Sequence, residues 1–306
     1  MESTLSVVFH ENTALCAVFE PNEKGWQLAD IAVFSGYIDV ITSDFAETSV
    51  GHQLEKYIRS IAPKIKDVRV VLPASAVVSQ YMPYVPASSH DSILGLLELE
   101  IMQNAPETTV GSYHAAFFPM RSSSGNGSLM LAVLNRKVAE KNIKEMFARM
   151  GLLECLFVVR HLAAHSAFLY SYPERASETT ILVNLDHSLC DISMLHKKST
   201  AMFKTIPYGN ERSACDIVVE ECERNLLRKV EVPPALIVFG DALTPGHLAE
   251  LEQRLGTLVH SVQRLNSFRM CTTVLDEKHR SFASRMAHRF AANVGSIMQR
   301  RPEPVK

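Results

Sequence analysis

Apolar positions along this chain fall into short extended runs separated by polar turns, with a few stretches of helical spacing between them. The most regular run is Ile181 to Leu195, ILVNLDHSLCDISML. Ile181 to Leu185 enters a polar turn at Asp186 to Ser188, and the chain returns as Cys190 to Leu195. Two such runs about a short polar break predict a β-hairpin. A third extended run, Thr200 to Pro207, follows it, then a helical stretch, Glu211 to Arg228, and a strand, Ala235 to Phe239, that ends in the turn Gly240, Asp241, Ala242. The N-terminus repeats this order. Leu5 to Phe9, a polar turn at His10 to Thr13, Leu15 to Phe19 and Trp26 to Phe34 predict three strands, Val50 to Ile61 a helix and Val68 to Leu72 a strand. Two copies of one β-β-β-α-β plan are therefore expected.

Between the copies the pattern changes. A strand ends at Pro73 and an extended run resumes over Ala76 to Val85. Ile93 to Met102 places Ile93, Leu97 and Ile101 on one helical face and is stopped by Asn104 and Pro106. Tyr113 to Met120 and Leu129 to Leu134 read as strands about the loop Arg121 to Ser128, and Val138 to Met150 as a helix ended by Gly151. The expected division is a first domain over 1–80, completed by 151–178 and a C-terminal helix over 278–300. An α+β subdomain is inserted at 81–150, and a second domain covers 179–277.

A duplicated plan with a polar hairpin turn in each half and a glycine turn after the later strand resembles the actin and sugar-kinase fold. More narrowly, LPASAVVSQYMPYVP, LELEIMQNAPE, LMLAVLNRKVAEKNIKEMFARMGL, LFVVRHLAAHSAF, LIVFGDALTPGHLAELEQRLG and SFASRMAHRFAANVGSIM, in that order, resemble the type IV pilus assembly family PilM. Its plan is shared by FtsA and by the cytoplasmic domain of GspL. The resemblance implies an α/β, duplicated actin-like fold whose two hairpin turns face each other across a cleft that holds nucleotide phosphates. The cleft positions it implies are Asn12, Thr13, Asn184, Asp186, His187, Ser188, Gly240, Asp241 and Gly246.

Those positions depart from the nucleotide-binding pattern. Such members carry an aspartate for Mg²⁺ and a glycine that lets backbone N–H groups reach phosphate. Here the first turn reads Phe9, His10, Glu11, Asn12, Thr13, and in the second Asn184 stands at the aspartate and Asp186 at the glycine. A carboxylate about 4 Å from phosphate costs roughly 4 kcal/mol at an effective dielectric of about 20. Gly240 stands alone before Asp241, which could hydrogen-bond a ribose or cap the next helix, while Pro245 and Gly246 remain. The expectation is a degenerate cleft without a cofactor. The rival is an ATPase holding Mg-ATP through Thr13, Ser188 and backbone amides. A small-molecule kinase would need a cleft aspartate, and neither Asp186 nor Asp191 stands in the expected place.

The resemblance also implies a partner. In PilM-like proteins a groove between the inserted subdomain and the first domain receives the cytoplasmic N-terminal peptide of an inner-membrane protein of the PilN type. Tyr81, Met82, Tyr84, Val85, Ile93, Leu97 and Ile101 lie near that groove by this likeness, although core packing accounts for them equally well. A non-catalytic scaffold able to form dimers or filaments is the expected role. In the last helix Phe282, Met286 and Phe290 form a stripe beside Arg285, His288 and Arg289, expected to pack on the first domain with a solvated basic edge.

Composition narrows the classes. The net charge of −2 argues against a nucleic-acid binder. The six cysteines include no CxxC pair and several sit in strand patterns, as buried free thiols do in a reducing cytoplasm. The N-terminus carries Glu2 and no basic region, so no signal peptide is read, and no apolar run reaches the roughly 20 residues of a membrane span. A cytoplasmic protein, at the membrane only through a partner, is expected. His161 and His165 are four apart, but position 162 is leucine and no third ligand suggests itself, so surface or cavity-lining histidines are expected rather than zinc. Asp186, His187 and Ser188 are adjacent and cannot form a catalytic relay.

Overall fold

The computed structural model describes residues 3–23, 25–42, 45–83, 90–104, 109–120, 129–209, 212–226 and 232–299. In chain order, β1 (Ser3–Phe9), β2 (Thr13–Asn22), β3 (Gly25–Ser35), α1 (Ser49–Ile61) and β4 (Ile65–Val71) open the first domain. The segment that follows contains β5 (Val77–Pro83), α2 (His90–Asn104), β6 (Tyr113–Met120) and β7 (Leu129–Arg136), the inserted subdomain with its own core, and then α3 (Lys137–Ala148), which packs back on the first sheet. The chain returns through β8 (Cys155–Phe157) and α4 (Arg160–Ser171). The second copy is β9 (Thr179–Leu185), β10 (Leu189–His196), β11 (Ser199–Pro207), α5 (Ala214–Glu221), β12 (Ala235–Phe239), α6 (Pro245–Leu255) and β13 (Ser261–Arg264). The last elements are β14 (Thr272–Thr273), α7 (Glu277–Met286) and α8 (Ala291–Met298).

The sheets run β14-β3-β2-β1-β4-β8, β11-β10-β9-β12-β13 and β5-β7-β6. The first two share one plan. An antiparallel hairpin, β1-β2 or β9-β10, lies beside a parallel strand, β4 or β12, so β3-β2-β1-β4 is repeated as β11-β10-β9-β12. Both sheets are covered on both faces, which is why β1 and β9 read as nearly continuous apolar runs. Leu5, Val7 and Phe9 pack toward α1 and α3, while Val8 and Leu15 face α4 and α8. Across the second sheet Ile181, Val183 and Leu185 face α5 and α6, while Leu182 packs on Ala164 and Phe168 of α4 and Ala291 of α8.

The α4 and α8 helices thus form the layer between the two sheets. They cross closely at Gly295, where a Cβ would stand 1.5 Å from the Ala163 carbonyl oxygen. Asn293, fully buried, donates to the carbonyls of Ser6 and Leu15 and ties α8 to the first sheet.

Two predicted helices depart from regular α geometry within their length. The run expected over Glu211 to Arg228 is helical over its described part: α5, started by a capping box between Ser213 and Asp216, continues into one π-helical turn, Cys222–Leu226. Its expected ends, Glu211 and 227–228, lie outside the described residues. The C-terminal helix is interrupted by a tight turn at Ala287–Phe290. Tertiary partners take the carbonyls released there: Ser267 donates to Ala287, and the Gly240 N–H to His288 at 3.2 Å. Gly151, at φ +80°, closes α3 as expected. Among the described residues, no helix is long and apolar enough to cross a membrane.

Candidate functional site: the inter-domain cleft

The two hairpin turns meet. In the first, the His10 N–H bonds the Thr13 carbonyl at 2.8 Å, and the segment after β3 fixes the turn by donating from Gly36 to Asn12 and from Ile38 to Glu11. This buries His10 and leaves the Asn12 side chain at the surface. In the second, the Asp186 N–H bonds the Leu189 carbonyl at 2.9 Å, and Asp186 Oδ1 accepts from the His187 N–H at 3.0 Å. The Tyr208 hydroxyl donates to the Asp186 carbonyl and braces the turn from the end of β11.

Side chains join the turns directly. His10 Nδ1 lies 2.9 Å from Asp186 Oδ2, and Ser188 Oγ lies 3.1 Å from each carboxylate oxygen of Glu11. Thr13 Oγ1 donates to Asp241 Oδ2 at 2.9 Å, and His187 Nε2 is 3.3 Å from the same oxygen. Arg289 donates to the other oxygen of Asp241. From the start of α4, Arg160 donates to Asp186 at 2.7 Å and to Asp191 of β10 at 3.2 Å. Asn184 and Thr205 complete the Asp191 shell at 3.0 and 2.7 Å.

Charge follows this geometry. Burial alone would raise the Asp186 carboxyl, but His10 and Arg160 outweigh it and hold the group well below the usual carboxylate range. Asp241 is held low in the same way, against its burial, by His10, Arg289 and Thr13. Burial opposes the Arg160 charge, and Asp191 and Asp186 more than restore it, so its pKa is raised.

Each expected cleft residue now has a place. Thr13, Asn184, Asp186, His187, Ser188 and Asp241 gather at the junction. Asp241 caps no helix: Thr244 caps α6 by accepting from the His247 N–H, and Asp241 is drawn instead to Thr13 and Arg289. Gly240, at φ +115°, lets its turn press on β9, where a Cβ would meet the Leu185 carbonyl oxygen at 2.2 Å and Asn184 Oδ1 at 2.5 Å. Gly246 lies in the first turn of α6, where a Cβ would touch only Thr244 Oγ1, at 3.6 Å. The basic edge of the last helix is not wholly solvated. Arg289 is bound to Asp241, and His288 is buried and pushed down to about 4 by burial and neighbouring arginines.

Sequence reasoning passed over Arg160 and gave His10, Glu11 and Arg289 no partner. Arg160 had one legible signal, a lone cation starting a helix directly after the apolar run Leu156 to Val159.

Beside this junction a cavity of about 290 Å³ opens where the three bodies meet. Leu72 and Val158 line it from the first domain, Val77, Val78 and Ser79 from β5, and Phe203 from β11. Tyr81 turns toward the second domain, where its hydroxyl accepts from the Phe203 N–H. Met82, Leu97 and Ile101 are buried in the subdomain's own core, with Ile93 packed against it. The periodic face of α2 therefore holds that helix on its sheet. Tyr84 and Val85 lie outside the described residues.

The histidines line cavities. His161 stacks on Phe203 at 3.8 Å between ring centroids, and His165 bonds Ser193 at 2.7 Å and Thr200 at 3.1 Å. Burial pushes both down to about 3, so they are neutral. Among the described residues no group of three or more His, Cys, Asp or Glu is placed to hold a metal ion.

Two copies of one strand plan, facing across a cleft through their hairpin turns and carrying an inserted subdomain, define an actin-like ATPase fold. Within that class the chain is similar to the structure described as the PilM-PilN type IV pilus biogenesis complex, with a TM-score of 0.70 at 12% identity over 96% of this chain and 97% of that one. It is also similar to a Bacteroides thetaiotaomicron protein with an actin-like ATPase fold and unknown function, at 0.60 and 10% identity over 97% and 96%. The cytoplasmic domain of EpsL, an inner-membrane component of the Vibrio cholerae type II secretion system, matches at 0.50 and 12% identity over 84% and 95%. No family model matches the chain, and no curated protein matches it.

Proposed function

We propose that this chain is a cytoplasmic, non-catalytic scaffold of an inner-membrane assembly of the type IV pilus or type II secretion kind, docked on the cytoplasmic N-terminal peptide of a PilN-like membrane protein. Its likeness over nearly the whole chain to the PilM-PilN complex, and to the EpsL cytoplasmic domain, supports that placement. One observation carries the nucleotide-independent part: the turns that would cradle phosphates are bonded to each other, His10 to Asp186 and Glu11 to Ser188. A triphosphate would have to break those bonds and then meet Glu11, Asp186 and Asp241. One such carboxylate costs roughly 4 kcal/mol, about a thousandfold in affinity. The hydroxyls a rival ATPase would use, on Thr13 and Ser188, are engaged with Asp241 and Glu11.

The peptide's seat is the cavity between the three bodies. The β5 strand is an edge of its sheet, and three consecutive residues, Val77 to Ser79, line the cavity, so an extended segment can add to that edge through backbone hydrogen bonds. Calorimetric titration tests both parts. Mg-ATP is expected to give no heat up to millimolar concentration. A synthetic peptide with the cytoplasmic N-terminal sequence of a PilN-like membrane protein is expected to bind, and to lose affinity with Ser79→Trp. Micromolar Mg-ATP binding overturns the degenerate cleft, and failure of the peptide to bind overturns the docking assignment.

A further inference from the structure

We propose that Arg160 is a positioning residue that couples the groove to the closure of the two domains, so that what fills the groove changes how firmly the turns hold together. The proposal rests on the cavity being a binding site, and it assigns that site a regulatory consequence.

Arg160 belongs to both places at once. Its guanidinium bonds Asp186, which lies in the second turn and faces His10, and Asp191, which lines the cavity. Its own side chain lines the cavity as well. It stands at the start of α4, in the layer between the two sheets, and both of its carboxylate partners stand on the second sheet's β9-β10 hairpin. Its bonds therefore tie that layer and the cavity wall to the turn that meets His10. An occupant that shifts Arg160 or β10 changes the charge balance around Asp186, because one buried guanidinium serves two buried carboxylates. The dependence runs both ways, since coupling between two sites is reciprocal. Planar, forked donation matters here. A lysine ammonium is a point charge on a flexible stem and cannot hold both carboxylates in one fixed geometry.

The test is hydrogen–deuterium exchange on the full chain, in a double-mutant cycle that needs no partner. The probe in the groove is an engineered side chain, Ser79→Trp, on β5 and distant in sequence from both turns. It is expected to raise exchange in residues 10–13 and 186–189 about tenfold with Arg160 present, and less than twofold in an Arg160→Lys background. The reciprocal arm is Thr13→Val, which removes the bond to Asp241 without touching the groove. It should raise exchange in residues 77–79, again only with Arg160 present. If tryptophan unfolds the subdomain, the Thr13→Val arm reads the coupling alone. Equal increments in the two backgrounds, or no increment with Arg160 present, overturn the proposal. Those outcomes leave peptide titration untouched, so the coupling and the docking assignment fail separately.

Discussion

Asp186→Asn isolates the inter-domain charge cluster. The substitution keeps the shape of the side chain and removes its charge, leaving His10 facing a neutral group and Arg160 with Asp191 alone. Breaking a buried ion pair costs about 3–5 kcal/mol, and about 3 kcal/mol is expected because Arg160 keeps its second carboxylate at 3.2 Å. At about 2–4 °C per kcal/mol for a chain unit of 150–250 residues, the melting temperature should fall by roughly 6–12 °C. Differential scanning calorimetry at neutral pH reads this directly. The acid arm has a definite sign. Asp186 is held below its ordinary pKa, so its stabilisation is fully present above the unfolded value and disappears as pH falls through the folded one. The wild-type advantage over Asp186→Asn should therefore be constant from neutral pH down to about 4 and shrink below that. A loss under 1 kcal/mol at pH 7, or an advantage that shrinks already between pH 7 and 5, would refute the assignment.

Gly240→Ala places a methyl 2.2 Å from the Leu185 carbonyl oxygen at a positive φ, and about 2–5 kcal/mol should be lost in urea unfolding. His165 is buried neutral with its pKa pushed down to about 3, so protonation opposes folding as pH falls from about 6.5 toward 3. His165→Asn should flatten the pH dependence of stability there by up to about 1.4 kcal/mol per pH unit, read by urea midpoints at pH 6, 5 and 4. Phe203→Ala removes the ring stacked on His161 and should cost about 3–4 kcal/mol, seen as a lowered urea midpoint with the fold retained by circular dichroism. Arg254→Ala is the control: its pairs with Asp216 and Glu250 are solvent-screened, and an unchanged urea midpoint is expected in the same assay.

The elements and their repetition were legible in the chain's local pattern. Strand runs, hairpin turns and the α2 face follow from local periodicity, which a linear chain displays without reference to its fold. It also showed that the cleft turns lack the glycine pattern of phosphate cradles, because residue identity at a turn is read in place. Tertiary structure alone decided what those residues do instead. His10 and Asp186 are 176 positions apart, and Thr13 and Asp241 are 228 apart. No periodicity links such positions, and their partnership exists only because two separately built sheets bring their hairpins together. The break between α7 and α8 has the same origin, since Ser267 and Gly240 supply donors to carbonyls that the helical pattern alone would have kept. So has the role of Asp241, read locally as a ribose ligand or a helix cap and claimed in the fold by Thr13 and Arg289. Local pattern fixes backbone conformation over one element's length. A buried charge is settled by whichever opposite charge packing brings within hydrogen-bond reach, and that is a property of the whole fold.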